Sequence, residues 1–223
     1  MKLTGAIFDL DGTLTDSMYI WNEAPKALVR RFGGTPPEHL AEDIKTMGRR
    51  EAAQYLVRHF SLPCTPEQMM AEINDLVTGA YREEVPMKAG ADALLARLSS
   101  LGIPCGIATA SESYQARDAM VRLGLWRHFL FAFSALQYGS KNRPDLYLAA
   151  ARSLGSPPDR TLVFEDALHA ARTAKEAGFL VAGVYDSSAE EDQEALKALC
   201  DWYLPRLDDP RFLAALGETH PPL

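Results

Sequence analysis

The chain has 223 residues and a mass of 24.6 kDa, with 47% apolar residues, 24% charged residues and a formal charge of −7. That length suits one large domain or two unequal ones, and so ordinary a composition excludes disordered, collagenous and disulfide-scaffold chains. An acidic chain without a basic run repels a phosphate backbone and excludes nucleic acid as a partner, but a small anionic substrate can still be met by a local cluster of donors.

The predicted elements run as follows. A short apolar strand, Leu3–Phe8, ends in the acidic stretch Asp9-Leu10-Asp11-Gly12-Thr13-Leu14-Thr15-Asp16-Ser17. Only helical periodicity follows, over Met18–Phe32, Pro37–Met47, Arg49–Phe60 and Pro66–Arg82, with Gly33-Gly34, Gly48 and Leu62-Pro63 as stops. From there helices and apolar strands alternate: helix Ala91–Ser100, strand Ile103–Ala108, helix Ser113–Leu123, strand Phe129–Phe133, helix Pro144–Ser153, strand Thr161–Phe164, helix Ala167–Ala177, strand Phe179–Val184 and helix Ala189–Leu199. A short strand, Tyr203–Leu204, and a helix, Asp208–Leu216, finish the chain.

This alternation predicts an α/β fold, a Rossmann-like parallel sheet with right-handed crossovers. A crossover needs about a dozen residues, and the first one has far more. The surplus, residues 17–84, is read as an inserted all-α subdomain, and residues 1–16 with 85–223 as a discontinuous α/β core. A helical layer packed flush on the sheet is the alternative.

No apolar run approaches the length of a membrane span. Met1-Lys2-Leu3 leads straight into structured sequence without the apolar core of a signal peptide. Cys64, Cys105 and Cys200 are sparse and unpaired in spacing, as in a reducing compartment, and Cys105 lies in an apolar run. A soluble cytoplasmic protein, monomeric or a weak dimer, is expected.

The chemistry concentrates at strand ends, where open α/β sheets bind ligands. Asp9 and Asp11 repel one another unless a proton or cation lies between them. Gly12 permits a turn that brings backbone N–H groups close to an anion. Read as structure only, Asp9 caps a helix and Asp11-Gly12 makes a turn. Read as chemistry, Asp9 attacks phosphorus to form an aspartyl-phosphate, and Asp11 protonates the leaving oxygen and then activates water. Mg²⁺ would neutralise the charge shared by Asp9 and the phosphoryl oxygens. Three further positions support the chemical reading. Thr109 has a hydroxyl to donate, Lys141 a positive charge before the helix start Pro144-Asp145, and Glu165-Asp166 carboxylates for the metal. Singly these are turn, solvated and cap residues.

Together they resemble the haloacid dehalogenase superfamily of phosphohydrolases over nearly the whole chain, in the branch of β-phosphoglucomutase and phosphoglycolate phosphatase. Asp9 to Ser17 resembles its first motif, Ala108-Thr109-Ala110-Ser111 the second, Lys141 with Pro144-Asp145 the third, and Phe164-Glu165-Asp166 the fourth. The resemblance implies that residues 17–84 form a helical cap. It implies Asp9 as nucleophile and Asp11 as acid/base, with Thr109, Ala110 and Lys141 binding phosphate. Mg²⁺ would be held by Asp9, the backbone carbonyl of Asp11, and Asp166, with Glu165 nearby. The implied function is hydrolysis of a small phosphorylated metabolite, such as a phosphosugar.

Some positions depart from the family pattern. Asn142 follows the lysine where the family often has Pro, and Ala167 and Ala170 stand where Ser and Gly are common. A sugar phosphomutase of the β-phosphoglucomutase type is the alternative, but twelve residues after the nucleophile that enzyme has His and this chain has Trp21. In the cap, Arg49 is the candidate substrate contact, or else an exposed helix-start arginine. Tyr19 and Trp21 line the pocket or pack as core, and His169 is expected at the surface.

Overall fold

Six short strands form one parallel sheet in the order β3-β2-β1-β4-β5-β6. They are β1 (Gly5–Phe8), β2 (Cys105–Thr109), β3 (Phe129–Ser134), β4 (Thr161–Glu165), β5 (Leu180–Val184) and β6 (Trp202–Leu204). The computed structural model describes residues 2–44, 47 and 49–217. Two compact units result, Ser17–Glu84 and the remainder.

The sheet lies in the larger unit. β1, β2 and β4 are buried along their whole lengths, which is why they read as unbroken apolar runs rather than alternating ones. The connecting helices are α5 (Ala91–Ser100), α6 (Ser113–Arg122), α7 (Ala135–Tyr138), α8 (Asp145–Leu154), α9 (Leu168–Glu176), α10 (Gln193–Leu199) and α11 (Pro210–Ala215). On one face of the sheet Ile7, Ala108, Val163 and Val181 pack with Leu146, Tyr147 and Ala150 of α8 and Ala171 and Ala174 of α9. Strand alternation turns Phe8 and Phe164 away from that cluster. Their rings stack at 4.3 Å between centroids, and Phe164 meets Phe212 of α11 edge-on. Gly106 is required where β2 passes β3, because a Cβ there would lie 2.4 Å from the Phe131 ring.

The smaller unit contains α1 (Met18–Arg31), α2 (Leu40–Ile44), α3 (Arg49–His59) and α4 (Pro66–Glu83). Its own core joins Leu28 and Val29 of α1, Leu40, Ala53 and Leu56, Leu62 and Met69. Thr65 starts α4 with a capping box. Its hydroxyl accepts from Gln68 N at 3.2 Å, and its N–H donates to Gln68 Oε1 at 2.8 Å.

Three predicted elements change, the first being the helix expected at Pro37–Met47, which begins only at Leu40. The helix expected at Ala189–Leu199 begins only at Gln193. Ser187–Asp192 forms a tight turn with Ala189 out of helical geometry, and the Gln193 amide donates to the carbonyls of Asp186 and Ala189. A short helix, α7, also intervenes between β3 and Lys141, started by Ser134, whose hydroxyl accepts from Leu136 N. Cys105 is buried, and burial pushes its thiol up to about 12, so it behaves as a small apolar core residue.

Candidate active site

The strand order reverses direction between β1 and β4, where parallel sheets open a crevice at their carboxyl ends. Phe8 pairs with Phe164, so Asp9 leaves β1 directly beside Glu165. Asp9 N donates to Phe164 O at 3.0 Å, holding the first residue beyond the strand in place.

The loop after Asp9 is wound around one carbonyl. Leu10 O accepts from the N–H groups of Thr13, Leu14 and Thr15 at 3.3, 2.9 and 2.9 Å, and from the Thr15 hydroxyl at 3.0 Å. Gly12 has a φ of +80°, and a Cβ on it would lie 2.4 Å from Asp166 Oδ2. The glycine therefore serves both the turn and the close approach of Asp166. Thr13 Oγ1 donates to Asp166 Oδ1 at 3.0 Å and fixes that carboxylate from the same loop.

Asp9, Glu165 and Asp166 are buried, and each offers an oxygen such that all three lie within 4.8 Å of one another. Lys141, also buried, donates to Asp9 Oδ1 and, at 2.8 Å, to Glu165 Oε2. Glu165 Oε2 also accepts from the Tyr147 hydroxyl at 3.0 Å, while Glu165 Oε1 is buried with no hydrogen-bond partner.

One ammonium thus faces three carboxylates out of water, and the titrations follow. Burial, then the charge of Glu165, lifts the Asp9 carboxyl well above the usual carboxylate range, and Lys141 only partly offsets them. Burial and Glu165 push Asp166 up to about 7, against the opposing pull of Lys141 and the Thr13 hydrogen bond. Burial opposes charge on Lys141, but Asp9 and Glu165 outweigh it and hold the ammonium protonated well above its ordinary range. Hard carboxylate oxygens, excess negative charge and one orphaned oxygen are what a small divalent cation requires. The residues present fit such an ion, with Asp9, Asp166 and Glu165 as its side-chain neighbours.

Asp11 is half-buried, and Ser111 Oγ donates to its Oδ2 at 2.7 Å. Ser111 is held in turn by Ser134, whose hydroxyl donates to Ser111 O at 2.7 Å. Thr109 closes β2 fully buried, and its Oγ1 accepts from Ser111 N at 2.9 Å, so its own O–H remains to donate. Ala110 beside it is exposed. Asp9, Lys141, Glu165 and Asp166 therefore meet as one group, and Ser111 joins Asp11 to the end of β2.

Of the remaining candidates, Arg49 begins α3, but its side chain lies outside the described residues, as does Gly48. Tyr19 is 45% exposed, Trp21 is half-buried and His169 is exposed. Tyr147, Ser111, Thr13 and Ser134 were not singled out as functional by sequence. Tyr147 had one available signal, a polar-tipped ring on the apolar face of the helix that follows Lys141.

Buried acids and a lysine thus meet at the switch point of a parallel α/β sheet, the place where such sheets bind ligands. Comparison with known proteins identifies the class. The model of the haloacid dehalogenase-like hydrolases matches residues 3–178, and the chain belongs to that family. It is 34% identical to hexitol phosphatase A of Escherichia coli (strain K12) over 169 residues, 75% of this chain and 76% of that protein. It is 30% identical to validoxylamine A 7'-phosphate phosphatase of Streptomyces hygroscopicus subsp. limoneus, covering 93% of this chain and 95% of that one. Among solved structures, a β-phosphoglucomutase from Clostridium difficile shares the fold with a TM-score of 0.76 and 20% identity, over 96% of this chain and 97% of that one. Among the described residues no helix is long and apolar enough to cross a membrane.

Proposed function

We propose that the protein is a Mg²⁺-dependent phosphatase of small phosphorylated metabolites, with phosphate esters of sugars and polyols as its substrate class. The observation that carries this is the buried group of Asp9, Lys141, Glu165 and Asp166, with Asp11 held two residues beyond Asp9 by Ser111. The names of two relatives, a hexitol phosphatase and a validoxylamine phosphate phosphatase, support the substrate class.

In the first half-reaction an Asp9 carboxylate oxygen forms a bond to phosphorus as the bond from phosphorus to the ester oxygen breaks. Asp11 gives its proton to that departing oxygen, and the alcohol leaves. In the second, Asp11 takes a proton from water as the water oxygen bonds to phosphorus, and the bond from phosphorus to Asp9 breaks. Inorganic phosphate is released and Asp9 is a carboxylate again.

Lys141 orients Asp9 and offers positive charge to the phosphoryl oxygens, and Thr109 donates its hydroxyl to one of them. Ser111 keeps the Asp11 carboxyl aimed from the β2 side. Mg²⁺, when bound by Asp9, the Asp11 carbonyl and Asp166, supplies the charge neutralisation that lets an anionic nucleophile meet an anionic phosphate. Residues 17–84 serve as the cap that selects the leaving group and excludes water, with Arg49 as a substrate contact. The enzyme works in the cytoplasm as a monomer or weak dimer.

Phosphate release from a panel of sugar, polyol and other small phosphates, with and without Mg²⁺ and beside Asp9→Asn, tests this. Hydrolysis that needs both the metal and Asp9 is expected. Isomerisation of a sugar phosphate on adding a bisphosphate, without net phosphate release, would make the protein a mutase instead.

A further inference from the structure

The Tyr147 hydroxyl has no part in the two half-reactions above, yet it is buried beneath the site and spends its hydrogen bond on Glu165. We infer that Tyr147 is a positioning residue for the cation site. Together with Lys141 it occupies Glu165 Oε2 and so reserves Glu165 Oε1 for the divalent cation or a water bound to it. The inference rests on the proposed function only in taking Mg²⁺ as the cation.

The geometry points this way on three counts. First, the two oxygens of Glu165 are unequal. Oε2 takes both the Lys141 ammonium at 2.8 Å and the Tyr147 hydroxyl at 3.0 Å, and Oε1 takes nothing although it is buried. A buried carboxylate oxygen without a donor is costly and in native proteins usually marks an ion or water site. Second, the carboxyl torsion of a glutamate is broad and nearly two-fold, so one donor on one oxygen does not prevent the two oxygens from exchanging places. Lys141 alone is such a donor, and it is shared with Asp9. Tyr147 adds a second donor from α8, and its ring is fixed by packing against Phe179, with centroids 6.2 Å apart. Third, the oxygens offered by Asp9, Glu165 and Asp166 already lie within 4.8 Å of one another. A loose Glu165 would degrade that set directly.

The test is Mg²⁺ binding to the metal-stripped full-length protein by titration calorimetry, which does not depend on turnover. Tyr147→Phe keeps the ring and removes only the donor. It is expected to weaken Mg²⁺ binding about 10-fold, with phosphate release recovering as Mg²⁺ is raised. In a Glu165→Gln background the same change is expected to add no further loss, since the hydroxyl acts through that carboxylate. Unchanged Mg²⁺ affinity in Tyr147→Phe, with any effect confined to the melting temperature, would overturn the inference and leave the tyrosine a core residue. Should Tyr147→Phe fail to fold, Glu165→Gln decides alone, because wild-type Mg²⁺ affinity in that variant also overturns it. Wild-type protein that binds Mg²⁺ but hydrolyses nothing would sink the phosphatase and leave this inference standing.

Discussion

At the scale of single residues, the candidate site depends on groups placed against their own preference. Lys141 is buried among Asp9, Glu165 and the Tyr147 hydroxyl, and it is the one cation the described structure brings into hydrogen-bond contact with the proposed nucleophile. Lys141→Met keeps the stem and deletes the charge. Phosphate release is expected to fall by a factor of about 10²–10³, as for loss of one preorganised donor, and steady-state kinetics with the preferred substrate would check it. Gly12 is equally constrained, by its positive φ and by Asp166 Oδ2 lying where a Cβ would go. Gly12→Ala is expected to cost about 1–3 kcal/mol of stability and to displace Asp166. Urea unfolding and Mg²⁺ titration should therefore worsen together. A loss of stability with intact Mg²⁺ binding would show that the close approach does not position Asp166.

At the scale of elements, the loop after β1 is paired to the segment that leads into α5. Asp16 N donates to Pro86 O at 3.0 Å and Lys88 N to Leu14 O at 2.9 Å. Lys88 then reaches the Asp186 carboxylate just beyond β5, which also accepts from Ser188 N at 2.9 Å. Burial opposes ionisation of Asp186, but the Lys88 and Ser188 hydrogen bonds outweigh it and hold the carboxyl below its usual range. A depressed folded value contributes stability that is present above the unfolded value, about 3.9, and is lost as the pH falls through the folded one. Asp186→Asn leaves the Lys88 ammonium without its partner and is expected to cost about 3 kcal/mol near neutrality. Its deficit relative to wild type should begin to shrink below about pH 4, where Asp186 of the unfolded wild type takes up a proton, and should disappear only below the lowered folded value. Urea unfolding across pH 3–7 measures this, and a deficit that stays constant with pH would remove the ion pair from the account.

At the scale of the whole molecule, the carboxylate cluster stands in tension with the fold that holds it. Asp9, Glu165 and Asp166 share one ammonium out of water, a like-charge arrangement that native proteins keep for function at a cost in stability. Asp166→Asn is therefore expected to raise the melting temperature of the metal-free protein while abolishing hydrolysis. Added Mg²⁺ should stabilise the wild type by about 2.7 kcal/mol at 100 times its dissociation constant, and this increment should shrink in the variant. Thermal unfolding with EDTA and with Mg²⁺ checks both signs. A destabilised metal-free variant would mean that the Thr13–Asp166 hydrogen bond outweighs the repulsion.

Much of this was legible in the chain because it is local. Buried parallel strands announce themselves as unbroken apolar runs, and Asp9 and Asp11 stand out because only Leu10 separates the two carboxylates at a strand end, with a turn glycine, Gly12, directly after them. The terminal strands and helices shifted by only one or two residues, as hydrogen bonding at element ends dictates. Where local pattern was ambiguous, tertiary contacts decided. The acidic stretch Ser187–Asp192 reads as helix, yet Gln193 is drawn to the Asp186 and Ala189 carbonyls and restarts the chain there. Which oxygen of Glu165 is engaged, and that Tyr147 and Lys141 share it, depends on α8 packing across β1 and β2 on one face of the sheet. The meeting of Ser111 with Asp11, 100 positions apart in sequence, depends on the parallel pairing of β1 with β2. The sequence by itself determined the α/β class, the strand ends and the acids upon them, since each follows from residues within a few positions. Only the tertiary structure decided which donors face which oxygens, because those pairings join separate strands and helices through the packing of the sheet.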